Sequence, residues 1–254
     1  MNGLEAMPRL SIVVATWNVA EKLDRCLASI KEQTFCDWEL LISDGGSTDG
    51  TLDLIKKHKE SIAWWQSRRD HGIYDAWNQA IVHAKGEYVC FLGADDAWTN
   101  EHSLETLFAA IGDGHYDLVT SQGRVKDPAT KKTVECGSAW DFKRIGRRMI
   151  VCHPGLLHRR TLFRVHGLFD SSYRITGDLE FLLRLPPDIA TLHVESVLVD
   201  IEAAGISRRN VLSRLREQRT ALSSCPRYGS LRANVIWLDK LWRYPVARLL
   251  RIPH

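Results

Sequence analysis

The chain has 254 residues, 44% hydrophobic and 26% charged, which is enough for one large α/β domain or two small ones and too apolar for disorder or a collagen-like repeat. No apolar run approaches the roughly 20 residues that span a bilayer, and residues 1–5 lack the basic and apolar regions of a signal peptide, so a cytoplasmic protein is expected. Six scattered cysteines without a CxxC pair suggest neither a disulfide framework nor a zinc site. The net charge of +3 is unevenly spread: residues 205–254 carry eleven Lys and Arg against Glu217 and Asp239, a balance of +9 that leaves −6 for residues 1–204. Nucleic acid or an anionic membrane surface are the usual partners of such a tail.

Residues 10–16 form a short apolar, β-prone run, after which Leu23, Leu27 and Ile30 recur at helical spacing. Residues 38–43 read as a second buried strand stopped by Asp44-Gly45-Gly46, with Ser47-Thr48-Asp49 placed to cap a helix carrying Leu52, Leu54 and Ile55. A third strand is expected at 62–66, a third helix at 74–84, and a fourth strand at 87–92 ending in Gly93-Ala94-Asp95-Asp96. This alternation predicts a mostly parallel, Rossmann-like sheet with helices on both faces. Beyond it the rhythm weakens. A helix at 104–111, a strand at 117–120 and a hairpin-like stretch around Asp127-Pro128 are followed by an ordered apolar run at 149–154. Helices from near Arg159 and over 178–185 (ended by Pro186-Pro187) and a strand at 191–200 complete the pattern. With no internal repeat and no low-complexity linker, one domain at 1–204 plus a C-terminal extension at 205–254 is expected.

In an open parallel sheet, ligands bind beyond the carboxyl ends of the strands. There the chain places Thr16-Trp17-Asn18, Asp44-Gly45-Gly46-Ser47 and Asp95-Asp96, with Asp70-His71-Gly72 just before the third helix. The glycine pair suits a tight turn and helix cap, and equally lets a flat base or a ribose approach the backbone. Asp95 and Asp96 read as a solvated turn or as hard oxygen ligands for Mg²⁺ or Mn²⁺, completed by phosphate and water.

Taken together, Ser11 to Asn18, the DGGSTDGT segment from Asp44, DHGIYDAWNQAI from Asp70 and AKGEYVCFLGADD from Ala84 resemble glycosyltransferase family 2 with a GT-A fold. Within that family they resemble the branch typical of bacterial cell-surface polysaccharide assembly, such as the colanic acid and capsule enzymes. His153-Pro154-Gly155, Gly167 to Asp170 and Asp178 to Arg184 match the family's second half, and the resemblance covers residues 8 to 210 or so. It implies a nucleotide-sugar half at about 8–100 and an acceptor half at about 101–204. Ala15, Thr16 and Trp17 would line the base, with Asp44 as its hydrogen-bond acceptor and Gly45 and Gly46 in the adjoining turn. Asp70, Gly72 and Asn78 would complete the nucleotide side, while Asp95 and Asp96 would hold Mg²⁺ or Mn²⁺ on the diphosphate.

Asp178 would be the base for the acceptor hydroxyl, with Glu180 as a second acceptor-side carboxylate; without the resemblance, Asp178 reads as a helix cap. His153 suits either an acceptor-side hydrogen bond or the core. Arg208, in Gly205 to Arg209, would belong to a loop over the diphosphate. Three positions depart from the family's common pattern: Gly45 replaces the second Asp of DDGS, a residue that often contacts uracil, Gly177 replaces a Glu, and Gly93 replaces an Asp.

The implied activity is inverting transfer of a sugar from a nucleotide-sugar donor to a hydroxyl of a saccharide or lipid-linked saccharide acceptor. In the tail, positions 237, 238, 241 and 242 fall on one helical face among Arg and Lys. That pattern fits a peripheral membrane helix at the inner face of the cytoplasmic membrane, or a helix docked on the domain with Pro245 breaking or kinking it. A nucleotidyltransferase would show a glycine-rich basic loop after the first strand, and a NAD enzyme a GxGxxG; neither is present. A nucleic-acid-binding module is disfavoured, because Asp44, Asp95, Asp96 and Asp178 would repel a phosphate backbone.

Overall fold

The structure, a computed structural model, describes residues 7–127, 130–202 and 210–249. Strands β1 (Leu10–Thr16), β2 (Trp38–Asp44), β3 (Trp64–Ser67) and β4 (Tyr88–Gly93) form a parallel half-sheet in the order β3-β2-β1-β4. The sheet continues through β8 (Leu157–Arg159), antiparallel to both β4 and β6 (Leu118–Lys126), and then β9 (Thr191–Glu202), parallel to β6. β5 (Ala97–Trp98) closes the far edge antiparallel to β9, and β7 (Thr133–Cys136) forms a hairpin with β6. Six of the nine strands among the described residues therefore run one way, and the expected GT-A arrangement stands.

β1 reads as a continuous apolar run because both of its faces are covered. Ile12 and Val14 join a core with Leu23, Leu27 and Ile30 of α1 (Ala20–Lys31), Ile55 of α2 (Thr51–Lys57) and Leu104, Leu107 and Phe108 of α4 (Ser103–Ile111). Val13 faces the opposite core, with Tyr74 and Trp77 of α3 (Ile73–Ile81), α5 (Phe142–Ile145), α6 (Thr161–His166) and α7 (Gly177–Arg184). Alternation of side chains across the strand sends its apolar residues to two separate helix layers.

The ordered apolar run at 149–154 is not a strand: Pro154 makes a single bridge to Phe91, and the pairing strand starts at Leu157. The extension is helical. α8 (Val211–Ser224) packs on α7, and α9 (Gly229–Leu249) packs on α8 and runs on through Pro245. Leu215, Ala221, Leu222 and Ala233 are buried, the last three within the same core as α7.

Candidate active site

The register of the parallel half-sheet assembles the site. Thr16 lies opposite Asp44, Asp44 opposite Ser67, and Ala15 opposite Gly93, so the carboxyl ends of four strands share one edge. Asp44, only 1% exposed, organises that edge. Its Oδ1 accepts from Thr16 Oγ1 (2.9 Å) and Ser47 Oγ (2.5 Å), and its Oδ2 from Gly46 N (3.1 Å), Ser47 N (2.9 Å) and Ser67 Oγ (2.6 Å). Burial opposes its ionisation, but the hydrogen bonds from Ser47, Ser67 and Thr16 outweigh burial and hold the carboxyl below its usual range. Five donors fill the roughly four lone-pair sites of a carboxylate. Asp44 therefore shapes the turn, with both of its carboxylate oxygens engaged by protein donors. Gly46, at φ +83°, gives that turn its left-handed step.

The free groups lie next to it. Trp17 is 70% exposed, an aromatic face at the mouth of the edge. A Cβ built on Gly45 would meet Asp70 Oδ2 at 2.7 Å and Trp17 Cδ1 at 3.4 Å, so the Asp70 carboxylate occupies the space that a side chain at 45 would enter. Its other oxygen, Oδ1, accepts from Gly72 N (2.8 Å). Asn78, expected on the nucleotide side, is taken up elsewhere: its amide donates to Phe169 O (2.8 Å) and accepts from Phe169 N (3.0 Å), pinning α3 to the segment before α7.

Asp95 and Asp96 converge over Gly93. A Cβ there would lie 2.5 Å from Asp96 Oδ2 and 3.1 Å from Asp95 Oδ1, so two carboxylate oxygens from different residues flank one small cradle. Asp96 is 5% exposed and its Oδ1 accepts from Glu202 N (3.2 Å); burial, then repulsion from Asp95, raises its pKa to about 7. Lys22, on α1, bridges Glu202 (2.5 Å) and Asp95 (4.0 Å), and Arg25 donates to Asp95 O. Among the described residues no three His, Cys, Asp or Glu side chains gather as a metal cluster. Two hard oxygens from adjacent residues nevertheless suit Mg²⁺ or Mn²⁺, which commonly take one or two carboxylates and complete their shell with phosphate and water. A cation would also offset the burial and the Asp95 repulsion that raise the proton affinity of Asp96.

Asp178 enters from the other half of the chain. Partly buried at the start of α7, it accepts through Oδ1 from Tyr74 OH (3.2 Å) and Leu179 N (2.8 Å). Burial, with a lesser contribution from the negative charge of Glu217, raises its pKa to about 6. The Tyr74 ring lies against Gly177, where a Cβ would come within 2.8 Å, so the Gly that replaces the family's usual Glu allows this contact. Arg174 reaches over Gly72 and donates to His71 O, tying the Asp70 turn to the segment leading into α7. The beginning of α3 thus joins the nucleotide-side edge to Asp178.

Glu180 and His153 do not join them. Glu180 pairs with Arg184 one turn on (3.1 Å), and Arg184 in turn donates to Leu168 O (2.7 Å) and covers the Phe181 ring. His153 is 7% exposed and stacked near Trp77 and Phe91; burial lowers its pKa to about 3, leaving a neutral core imidazole. Arg208 lies outside the described residues.

Sequence reasoning missed Tyr74 and Glu217. Glu217 Oε1 accepts from Arg174 N (3.0 Å), and Oε2 from Ile175 N and Thr176 N (both 2.9 Å), so a residue of the extension holds the entry to the Asp178 helix. The available signal was a lone acid in a strongly basic helix.

The model for glycosyl transferase family 2 matches residues 11–161. A PGL/p-HBAD biosynthesis glycosyltransferase of Mycobacterium bovis (strain BCG / Pasteur 1173P2) is 34% identical over 206 residues, covering 79% of each chain. Among solved structures, S. aureus TarS 1-349 in complex with UDP-GlcNAc superposes with a TM-score of 0.69 at 18% identity, over 93% of this chain and 72% of that one. A mannosyltransferase from Pyrobaculum calidifontis in complex with GDP-Man and Mn²⁺ gives 0.67 at 20% identity, over 96% and 74%. A shared fold, a matching family model over residues 11–161 and a relative 34% identical over 79% of the chain make this chain a member of glycosyltransferase family 2 with the GT-A fold.

Proposed function

We propose that the chain is an inverting, divalent-cation-assisted glycosyltransferase that passes a sugar from a nucleoside diphosphate to a hydroxyl of a lipid-linked saccharide, in bacterial cell-surface polysaccharide biosynthesis at the inner face of the cytoplasmic membrane. The observation that carries this reading is the Asp178 carboxyl: raised to about 6 and oriented by Tyr74, it is ionised at neutral pH yet basic enough to take a proton from an alcohol. Glu180 pairs through Oε1 with Arg184, whereas Asp178 is held by Tyr74, which favours Asp178 as the acceptor-side base. A single base without a paired nucleophile supports direct displacement, with attack opposite the leaving diphosphate and inversion at the anomeric carbon.

On the donor side the base would stack on Trp17 and meet Asp70 Oδ2 over Gly45. A carboxylate there accepts an N–H, which favours the ring N–H of uracil or guanine over cytosine. Ala15, Thr16 and the Gly46 and Gly72 backbone would form the rest of the wall, with Asp44 as a positioning residue. Asp95 and Asp96 would hold the cation, which when bound neutralises charge on the departing diphosphate. Lys22 and Arg25 flank the same rim.

Binding of UDP-, GDP- and CDP-sugars, measured by calorimetry with Mn²⁺ and with chelator, tests this reading together with transfer by Asp178→Asn. The expected result is cation-dependent preference for uridine or guanosine donors, weakened in Asp70→Asn, and an Asp178→Asn protein that binds donor without transferring it. Cation-independent binding, or normal transfer by Asp178→Asn, would overturn it.

A further inference from the structure

Helix α9 has two unlike faces, and they divide differently from the pattern read in the sequence. Ala233, Ile236 and Trp237 turn inward: Ala233 is fully buried, Arg219 covers the Trp237 ring at 5.0 Å and also donates to Asn234 Oδ1 (2.7 Å), and Lys240 donates to Gln218 Oε1 (2.6 Å). Leu231, Val235, Leu238 and Trp242 face out, at 81%, 59%, 58% and 78% exposure. Their spacing of i, i+4, i+7 and i+11 puts all four on one narrow stripe of a helix with 3.6 residues per turn. Trp237 and Leu238, grouped together by the sequence pattern, are about 100° apart around the helix, so Arg219 covers the first while the second faces out.

The stripe presents roughly 500 Å² of apolar surface, as large as the largest patch on an ordinary monomer. A stable dimer buries about 800 Å² on each partner, more than this stripe supplies. The charge around it points to a different occupant. Residues 205–254 carry a net +9 on a chain whose remainder is −6, and Arg232 lies beside the stripe with Arg227 in the preceding turn. No helix among the described residues is long and apolar enough to cross a membrane. A helix of a strongly basic segment with Leu, Val and Trp on its outer stripe and Arg232 beside it is built to lie in an interface.

We propose that the outer stripe of α9, Leu231, Val235, Leu238 and Trp242, is a docking surface for an anionic lipid bilayer, seated at the boundary of headgroups and acyl chains with the neighbouring Arg232 on lipid phosphates. α8 lies directly between this face and α7, and its Glu217 holds the backbone before Asp178. On the proposed reading of Asp178, docking sets the acceptor side of the enzyme in fixed relation to the lipid surface that carries its substrate.

The test is flotation of the full chain with vesicles of phosphatidylcholine alone or containing phosphatidylglycerol, at low and high salt. It is made on wild type, on Leu231→Ser/Leu238→Ser/Trp242→Ser and on Arg232→Glu, each checked for an unchanged melting temperature and for mass in solution. Wild type should float with anionic vesicles at least tenfold better than with neutral ones. The triple variant should lose at least tenfold of that binding, and Arg232→Glu should lose part of it, as high salt does. Equal flotation of wild type and the triple variant would overturn the proposal, as would no flotation at low salt, or a wild-type dimer that the triple variant converts to monomer while neither floats. Donor binding by calorimetry needs no vesicle, so failure here leaves the donor-site reading standing and the reverse also holds.

Discussion

Replacing Asp178 with Asn should inactivate the protein and stabilise it at the same time. In the folded chain the carboxyl is raised from 3.8 to about 6 by burial. Each factor of ten in proton affinity is worth about 1.4 kcal/mol, so ionising Asp178 in place costs about 3 kcal/mol more than in the unfolded chain. Asn removes the charge, while its Oδ1 can still accept from Tyr74 OH and Leu179 N. The gain has a definite pH dependence. Below the unfolded pKa both states hold the proton and wild type and variant match. As pH rises toward the folded pKa the unfolded carboxyl ionises first, so wild type loses stability relative to Asn, and the difference is constant above that point. Calorimetric melting at about pH 8 should therefore show the variant higher by up to about 3 kcal/mol, a rise of up to about 9 °C for a chain of this size, with the gain shrinking toward pH 4. Transfer should fall by about a thousandfold, in the range expected for loss of a general base. A gain independent of pH, or a variant less stable at pH 8, would show that burial does not raise the proton affinity of this carboxyl and would remove the physical basis for its role.

Glu217→Gln should keep most of the amide contacts yet remove a charge that raises Asp178, so the acid limb of kcat/KM against pH should move to lower pH; an unmoved limb would mean that Glu217 is only a structural anchor. Asp44→Ala strands up to five donors at a site 1% exposed and should cost about 3 kcal/mol in denaturant unfolding. Because the Asp44 pKa is lowered by folding, its contribution is present above the unfolded pKa and lost as pH falls through the folded one, so wild type and variant should converge in acid. Gly93→Ala places a methyl 2.5 Å from Asp96 Oδ2 in the cradle between the two carboxylates, and thermal melts with nucleotide should no longer respond to Mn²⁺; an undiminished response would move the cation elsewhere.

Much of the nucleotide half was legible because its signals are local. β1, β2 and β4 are short apolar runs ended by polar turns, Asp44 and Asp95 sit where two of them stop, and Asp70 lies just before α3. The acceptor half was harder to read. Residues 149–154 look like a strand from composition, but Pro154 and the turn at Gly155 leave only one bridge to Phe91, and pairing waits for Leu157. Glu180 and Asp178 are two residues apart and chemically alike in sequence, yet an arginine one turn farther on claims the first while a tyrosine from α3 orients the second.

What the sequence by itself determined is the inventory: which strands are buried on both faces, where the turns fall, and which acids lie at strand ends, since periodicity and turn chemistry act over a few residues. Which acids remain free was decided only by the tertiary structure. Asp44 is saturated by Thr16 and Ser67 from neighbouring strands as well as by its own turn, Asn78 is consumed by Phe169, and His153 is packed among rings drawn from three separate segments. Hydrogen-bond saturation and burial are set by contacts between residues tens of positions apart, so they exist only once the chain has folded around its β1 edge.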